Sequence, residues 1–370
     1  MVAVPALNEA RRIGRCLEAL AGQRGRGDAP LNACHHVVVF ANNCTDETAD
    51  VARRFGSFVT VVEAKLEGAE ANAGTARRRA MDLAASMTEM APGGVVFTTD
   101  ADSRPRPDWL AQTLASIEGG AQAVAGAVDF DEAEPPPAFS SYRADEARYA
   151  GLQAELTARL DPEPHNPWPN HLWAWGANLC VTVAAYRRVG GLPEHPLAED
   201  RAFVERLKAF DVPVRHSLEA RVWTSARRDG RAPGGLASLI DDHLGADVEP
   251  CDAALEPVSL VWRRARAKAA YRRHHAQGAD GTGLARRLAV TPETFAEALS
   301  ARSFGKGWSL VEAASPRLAR MRLATADLRG EIARAERAFS LMGADTPADR
   351  SDRALAATAG LWSAPPRTPS

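Results

Sequence analysis

Two aspartates, Asp100 and Asp102, sit at positions i and i+2 where an apolar run, Val95-Val-Phe-Thr-Thr99, gives way to polar residues. At the end of a strand both carboxylates reach one small volume. Close carboxylates repel, so the pair is stable only with a cation between or near them. Oxygen donors in such small number suit Mg²⁺ or Mn²⁺, completed by water and a substrate diphosphate. The structural alternative is an Asp-rich surface turn in which Pro105 ends the strand.

A second acidic pair, Glu199-Asp200, opens a helical stretch. Acids at a first turn complement the helix dipole. One of them can instead project into a site as a general base. Pro5-Ala-Leu-Asn-Glu9 joins a first strand to a first helix, where Asn8 also reads as a helix cap. Gly74-Thr-Ala-Arg-Arg-Arg79 places three arginines around a helix, so at most two face one site.

These groups need a frame. His36-Val-Val-Val-Phe-Ala41, Phe58-Val-Thr-Val-Val62 and Gly94-Val-Val-Phe-Thr-Thr99 are short, β-branched and nearly uniformly apolar. Strands covered on both faces have that character. Val2-Ala-Val4 is the stub of another. Helical stretches lie between them at about 9–22, 46–55 and 70–90, and one more runs from Asp108 to the Gly119-Gly120 stop. Alternating strands and helices predict an α/β domain with a mostly parallel central sheet flanked by helices. Ligands on such sheets sit beyond the carboxyl ends of the strands, where the acidic and amide residues above fall.

After Pro135-Pro-Pro137 the pattern predicts a helix over about 138–160 and a proline-rich loop from Asp161 to His171. A strand follows at Asn178–Val183, then a short helix ending at Gly190-Gly191 and a helix over Ala198–Phe210. Two short strands, Val212–Arg215 and Ala220–Thr224, complete the half. From about 233 the pattern is helical and rich in Arg and Ala. The boundaries are a catalytic domain over 1–245, a helical C-terminal extension over 246–345, and a poorly ordered tail over 346–370.

The chain has 370 residues, 45% of them hydrophobic and 25% charged, with a formal net charge of −2. No overall positive field points to nucleic acid. No apolar run approaches the roughly 18 residues a membrane helix needs. Five scattered cysteines without CxxC spacing argue against a disulfide framework or a zinc site and for reduced thiols in the cytoplasm. Charge is uneven: residues 255–340 hold about 16 Arg and Lys against about 8 Asp and Glu. Leu284–Thr294 superficially suggests a helix-turn-helix, but base-reading residues are not evident, and no specific nucleic-acid partner is expected. A helical appendage is expected instead, as a homodimer contact, a cover for the acceptor site, or a contact with the anionic inner face of a membrane.

Taken in order, the motifs resemble the family 2 glycosyltransferases of the GT-A fold. Val4-Pro-Ala-Leu-Asn-Glu9 is similar to the family's opening PxxNE segment, and Asn42-Asn-Cys-Thr-Asp-Glu-Thr48 to its DDGSTDGT segment. Gly74-Thr-Ala-Arg77 resembles a glycine-led segment ending in Ala-Arg, and Thr99-Asp-Ala-Asp102 the metal-binding DxD. Trp175-Gly-Ala-Asn178 resembles a GxN strand before the acceptor side. Val189-Gly-Gly-Leu-Pro193 with Glu199-Asp200 resembles GGfp…ED, and Thr224–Arg231 a Ser-x-Arg…Gly-Arg tail. The resemblance covers about 2–235. Two departures stand out. Ala41 and Asn42 occupy positions where the family carries base-contacting acids, and the processive Gln-x-x-Arg-Trp signature is absent.

The resemblance implies a non-processive, inverting transfer of a sugar from a nucleotide-diphosphate donor to an acceptor hydroxyl. It implies Mg²⁺ or Mn²⁺ on Asp102, with Asp100 beside it on the metal or the donor ribose. Pro5, Ala6, Asn8, Glu9, Asn42 and Arg77 would hold the nucleotide, and Arg227 and Arg231 the diphosphate. Asp200 is the expected general base, with Glu199 second. Trp168, Trp175 and Asn178 are expected on the acceptor side, since aromatic faces pack on sugar rings. His216 and His243 are candidates for a late metal ligand, against a structural reading of each. Two alternatives stay open: a nucleotidyltransferase of related architecture, although no Gly-rich phosphate loop follows the first strand, and a catalytically lapsed sugar-nucleotide scaffold.

Overall fold

A computed structural model describes residues 1–31, 35–89, 91, 93–131, 142–227, 230, 251–278 and 280–343. The expected tail, His243 and Arg231 lie outside these residues, as does most of the junction before the C-terminal helices. Among the described residues the sheet has eight strands: β1 Val2–Ala6, β2 Val37–Asn42, β3 Val59–Ala64, β4 Val95–Thr98, β5 Ser103–Pro105, β6 Ala123–Phe130, β7 Leu179–Thr182 and β8 Val214–Thr224. Their order is β3-β2-β1-β4-β7-β6-β8-β5. The β3-β2-β1-β4 end is parallel throughout. β7 then runs antiparallel to both β4 and β6, β5 antiparallel to β8, and β6 parallel to β8. The sheet is thus mixed, with four of its seven pairings parallel, as the sequence led us to expect of a mostly parallel sheet.

Successive side chains of the parallel strands feed opposite cores, as the two-residue strand period requires. Val2, Val4, Val37 and Val39 pack with α1 (Ile13–Ala21) and α4 (Trp109–Glu118). Ala3, Val38 and Phe40 face the other way, onto α3 (Ala73–Thr88), α6 (Val183–Arg188) and α7 (Glu199–Ala209). The short α2 (Thr48–Arg53) covers the β2-β3 edge of the sheet.

Two features depart from the sequence reading. β6 is a central strand that the pattern of β-branched runs does not reveal, because Ala-Val-Ala-Gly-Ala-Val carries little of the usual strand chemistry. Its small residues have a packing cause. A Cβ on Gly126 would stand 2.3 Å from Asn178 Nδ2 and 2.4 Å from the Ala220 carbonyl. The Asn178 amide donates to the carbonyls of Ala127 and Ala220, at 2.7 and 2.8 Å, and accepts from Trp109 Nε1 at 2.8 Å. It bridges β6 and β8 where their register shifts. The two short strands expected at 212–215 and 220–224 are accordingly one strand, β8, carried across that irregularity.

The expected helix at about 138–160 is α5, Tyr142–Leu160. It packs on α8 (Val258–Gln277) and α12 (Leu328–Leu341) through a core that includes Tyr149, Leu156, Val261 and Phe339. A further cluster around Tyr271 joins α8 to α9 (Thr282–Leu288), α10 (Pro292–Ser300) and α11 (Phe304–Ala314). The start of α11 is pinned to the end of α7. The Asp211 carboxylate accepts from the backbone N–H groups of Phe304 and Gly305 at 2.9 and 2.7 Å. An acid at that position satisfies two orphan donors and complements the helix dipole. The C-terminal helices are therefore built onto the α/β half. No described helix is long and apolar enough to cross a membrane.

Candidate active site

The carboxyl ends of β1, β2 and β4, the start of α7 and the inner faces of α8 and α11 surround one cleft of about 1780 Å³. Pro5, Ala6, Glu9, Asn42, Arg77, Asp100, Asp102, Trp175, Glu199, Asp200 and Arg227 all line it. Residues far apart in sequence thus meet on one wall. Three expected residues do not. Asn178 is spent on the β6–β8 bridge. Trp168 stands outside the lining, next to the cis Trp168-Pro169 bond. Asn8 adopts a left-handed backbone (φ 53°) and its Oδ1 accepts from Thr45 N at 2.8 Å. Asn8 thereby braces the loop after β1 against the loop after β2. Glu9 is held in turn by its backbone N–H, which donates to Thr48 Oγ1 at 2.7 Å.

Arg77 is the hub. It is 6% exposed. Its Nη2 donates to Asp100 Oδ1 at 2.8 Å and its Nε to Glu199 Oε1 at 3.0 Å. Its Nη1 donates to the Gly176 carbonyl at 2.7 Å and to Thr98 Oγ1 at 3.2 Å. Burial opposes the charge, but Asp100 and Glu199 outweigh it and raise the guanidinium above its ordinary value. The reach is possible because α3 begins against the segment leading into α7: a Cβ on Gly74 would lie 2.0 Å from the His195 carbonyl. Arg77, expected as a nucleotide contact, lines the cleft and ties the two acidic motifs together.

Asp200 follows Ala198, whose backbone is left-handed (φ 56°). Its Oδ2 accepts from Gly176 N at 2.8 Å and its Oδ1 from Arg201 N at 2.7 Å. Burial and the neighbouring Glu199 raise its pKa; the two backbone donors and Arg77 moderate the rise. Each oxygen keeps a further lone pair for a ligand. Such a carboxylate is fixed in place and more basic than a solvated one.

Asp102 meets a different environment. Arg227 Nη2 lies 3.0 Å from Asp102 Oδ2 and 2.5 Å from Glu9 Oε1. Burial and the carboxylates of Asp100 and Glu9 push the Asp102 pKa up, against the pull of Arg227. Among the described residues no three His, Cys, Asp or Glu side chains form a metal cage. The oxygen donors of Asp100 and Asp102 nonetheless fit a hard cation that draws its remaining ligands from water and a diphosphate. His216 is not beside these acids. It is buried, with its Nδ1 3.0 Å from the Trp173 carbonyl and its Nε2 3.0 Å from Lys208 Nζ.

The cleft also holds an aromatic group around Trp175, together with charged side chains that the sequence reading missed. Trp173 and Trp175 stack at 5.4 Å between ring centroids, and His171 stacks on Trp175 at 5.8 Å. Lys208 also lines the cleft, as do Lys268 and Arg272 of α8 with Asp161 and Glu163 of the proline-rich loop. Lys268 Nζ lies 2.9 Å from Glu163 Oε1, and Arg272 Nη2 lies 2.9 Å from Asp161 Oδ2. No local motif marks these residues. Only the eight-residue spacing from Asp200 to Lys208 along α7, two four-residue steps through Val204, was available as a signal.

The chain is similar to several known proteins. Residues 1–171 match the model described as glycosyl transferase family 2. Glycosyltransferase AglE of Haloferax volcanii is 27% identical over 186 residues, which are 47% of this chain and 57% of that protein. The alignment thus spans little more than half of the curated relative. Among solved structures, TarS of S. aureus (residues 1–349) in complex with UDP-GlcNAc is similar at 16% identity, covering 93% of this chain and 91% of that one, with a TM-score of 0.45. Mannosyltransferase PcManGT from Pyrobaculum calidifontis, in complex with GDP-Man and Mn²⁺, is also 16% identical, covering 97% and 85%, with a TM-score of 0.45. The family match over residues 1–171 agrees with the order of the motifs along β1, β2, α3 and β4, and it marks this part of the chain as similar to glycosyl transferase family 2.

Proposed function

We propose that the chain is a non-processive glycosyltransferase that moves a sugar from a nucleoside-diphosphate donor to an acceptor hydroxyl with inversion. One observation carries the reading. The Asp100/Asp102 pair and Asp200 line a single cleft, and buried Arg77 couples the Asp100 motif to the Glu199-Asp200 motif.

In this reading Pro5, Ala6 and Asn42 receive the nucleoside. The Asn42 amide both donates and accepts, so the base is not restricted to uracil. Asp102 and Asp100 would hold Mg²⁺ or Mn²⁺, which when bound supplies positive charge beside the diphosphate. Arg227 is the diphosphate contact, since guanidinium pairs with phosphate in two-pronged geometry; its present partners, Glu9 and Asp102, keep it at that end of the cleft. Asp200 takes the acceptor hydroxyl proton as the acceptor oxygen bonds to the anomeric carbon. The bond from that carbon to the diphosphate oxygen breaks, and the nucleoside diphosphate leaves with the electron pair. A single displacement of this kind inverts the anomeric centre. The raised pKa of Asp200 serves proton removal. Glu199, engaged by Arg77, positions the wall beside the base. Trp175, next to the Gly176 amide that holds Asp200, offers an aromatic face to the acceptor sugar.

The test is a thermal-shift panel of nucleotide-sugars with and without Mn²⁺, followed by product analysis with the stabilising donor. A bound donor raises stability by mass action. Selective stabilisation and an inverted product support the reading. A flat response across UDP-, GDP- and dTDP-sugars, or a retained anomeric configuration, overturns it.

A further inference from the structure

Helix α7 continues to face the cleft beyond Asp200. Asp200, Val204 and Lys208 recur at four-residue spacing, and all three line it. At the helical rise, Lys208 lies roughly 12 Å along the axis from Asp200. The opposite wall covers the same span. Gly176 N donates to Asp200 Oδ2 at 2.8 Å. Three residues earlier, the Trp173 carbonyl is 3.0 Å from His216 Nδ1, and His216 Nε2 is 3.0 Å from Lys208 Nζ. Three extended residues reach about 10 Å. Two separate connections therefore set one separation, and the stacked Trp173–Trp175 pair lies along it.

The state of Lys208 follows from its partners. The Trp173 carbonyl only accepts, so the hydrogen-bond network assigns the His216 proton to Nδ1 and leaves Nε2 to accept from the ammonium. That uses one of three N–H donors on Lys208. Among the described residues Lys208 forms no ion pair within 4 Å, while Asp161 and Glu163 are engaged by Arg272 and Lys268. Lys208 is exposed to the cleft; the enclosing walls and Lys268 lower its pKa to about 8 against the pull of Glu163 and Glu205, so it carries its charge at neutral pH.

We propose that Lys208 is the anion-binding end of the acceptor site: the acceptor carries a carboxylate or phosphate roughly 12 Å from the hydroxyl that Asp200 deprotonates, with the Trp173–Trp175 pair between them. This rests on Asp200 being the base of the proposed transfer. A single sugar ring is too short for the span, so the acceptor is at least a disaccharide or an alcohol of similar length.

The test uses the full chain and three matched probes: methyl cellobioside, the same glycoside with a terminal uronate, and its terminal 6-phosphate. Calorimetry is run alone and with UDP and Mn²⁺. The uronate or the phosphate should bind at least about tenfold more tightly than the neutral glycoside, and the stronger of the two names the anion. Lys208→Met should erase the preference and Lys208→Arg should restore part of it. Equal binding of charged and neutral probes in the wild type, no binding of either charged probe, or a preference that survives Lys208→Met would overturn the proposal. The wild-type comparison stands even if Lys208→Met does not fold. Nucleotide-sugar binding is measured separately. Its absence beside Lys208-dependent anion binding would defeat the transferase reading alone, and the converse would defeat only this one.

Discussion

The Nε of Arg77 donates to Glu199 Oε1 at 3.0 Å, across 122 residues of sequence. The contact changes how the acidic pair on α7 is understood. Read from the sequence, Glu199 favours a helix N-terminus; in the fold it is also the counter-ion of a buried guanidinium that holds Asp100 on its other edge.

Arg77→Met should therefore destabilise the protein by about 3–5 kcal/mol, because it strands Glu199 in a buried position without its partner. Urea unfolding measures this. A loss below about 1 kcal/mol would mean that the pair is solvated in solution.

Asp200→Asn should leave donor affinity and folding intact. Gly176 N and Arg201 N both donate to the Asp200 carboxylate, and an amide can accept through only one oxygen, so a small stability loss is expected. Turnover should fall roughly 10²–10⁴-fold, the usual contribution of a positioned base. Glu199→Gln should cost stability more than turnover, since Gln keeps an acceptor for Arg77 but not the charge. Steady-state kinetics beside thermal unfolding separate the two. A larger turnover loss for Glu199→Gln, with donor affinity unchanged in both, would exchange their roles.

Asp102→Ala should abolish any Mn²⁺-dependent increase in donor affinity while leaving metal-free nucleotide binding measurable. Removing it also leaves Arg227 with Glu9. Calorimetry with and without Mn²⁺ is the check, and an undiminished metal effect in the variant would remove Asp102 from the cation site.

Glu163 sets a pH dependence of stability. Burial pushes its pKa up, but Lys268 above all outweighs that and holds it at about 2. A carboxyl depressed in the folded state stabilises above its unfolded pKa of about 4.3, and that stability is lost as pH falls toward 2. The contribution is on the order of 3 kcal/mol. Glu163→Gln should flatten the acid limb of stability between about pH 4.5 and 2 relative to wild type. Identical acid limbs would show that the Glu163–Lys268 pair does not persist in solution.

Gly126→Ala should disrupt the β6–β8 junction, since the added methyl would meet the Asn178 amide and the Ala220 carbonyl. A loss of about 1–3 kcal/mol is expected from overpacking. Chemical denaturation measures it, and an unchanged midpoint would show that the junction relaxes freely.

Local chemistry made much of this protein readable from its residues. β-branched runs marked β1, β2, β3 and β4, because strands covered on both faces must be apolar throughout. The polar residues that end those runs had to lie at the carboxyl edge of the sheet, and Asp100, Asp102 and Asn42 do. Glu199-Asp200 at a helix start was likewise legible, because helix termini carry their own signals. Tertiary structure alone decided the rest. Within β6, position 126 is Gly because the Asn178 amide and the Ala220 carbonyl crowd it, a constraint set by residues some 50 and 90 positions away. Arg77 became a brace between two acidic motifs, and Asn178 a bridge between strands, because long-range packing engages most of their hydrogen-bonding groups. Lys208 carries no motif at all. Its place opposite His216, on the same helix face as Asp200, exists only once α7 lies along the 173–176 segment and the C-terminal helices close over both.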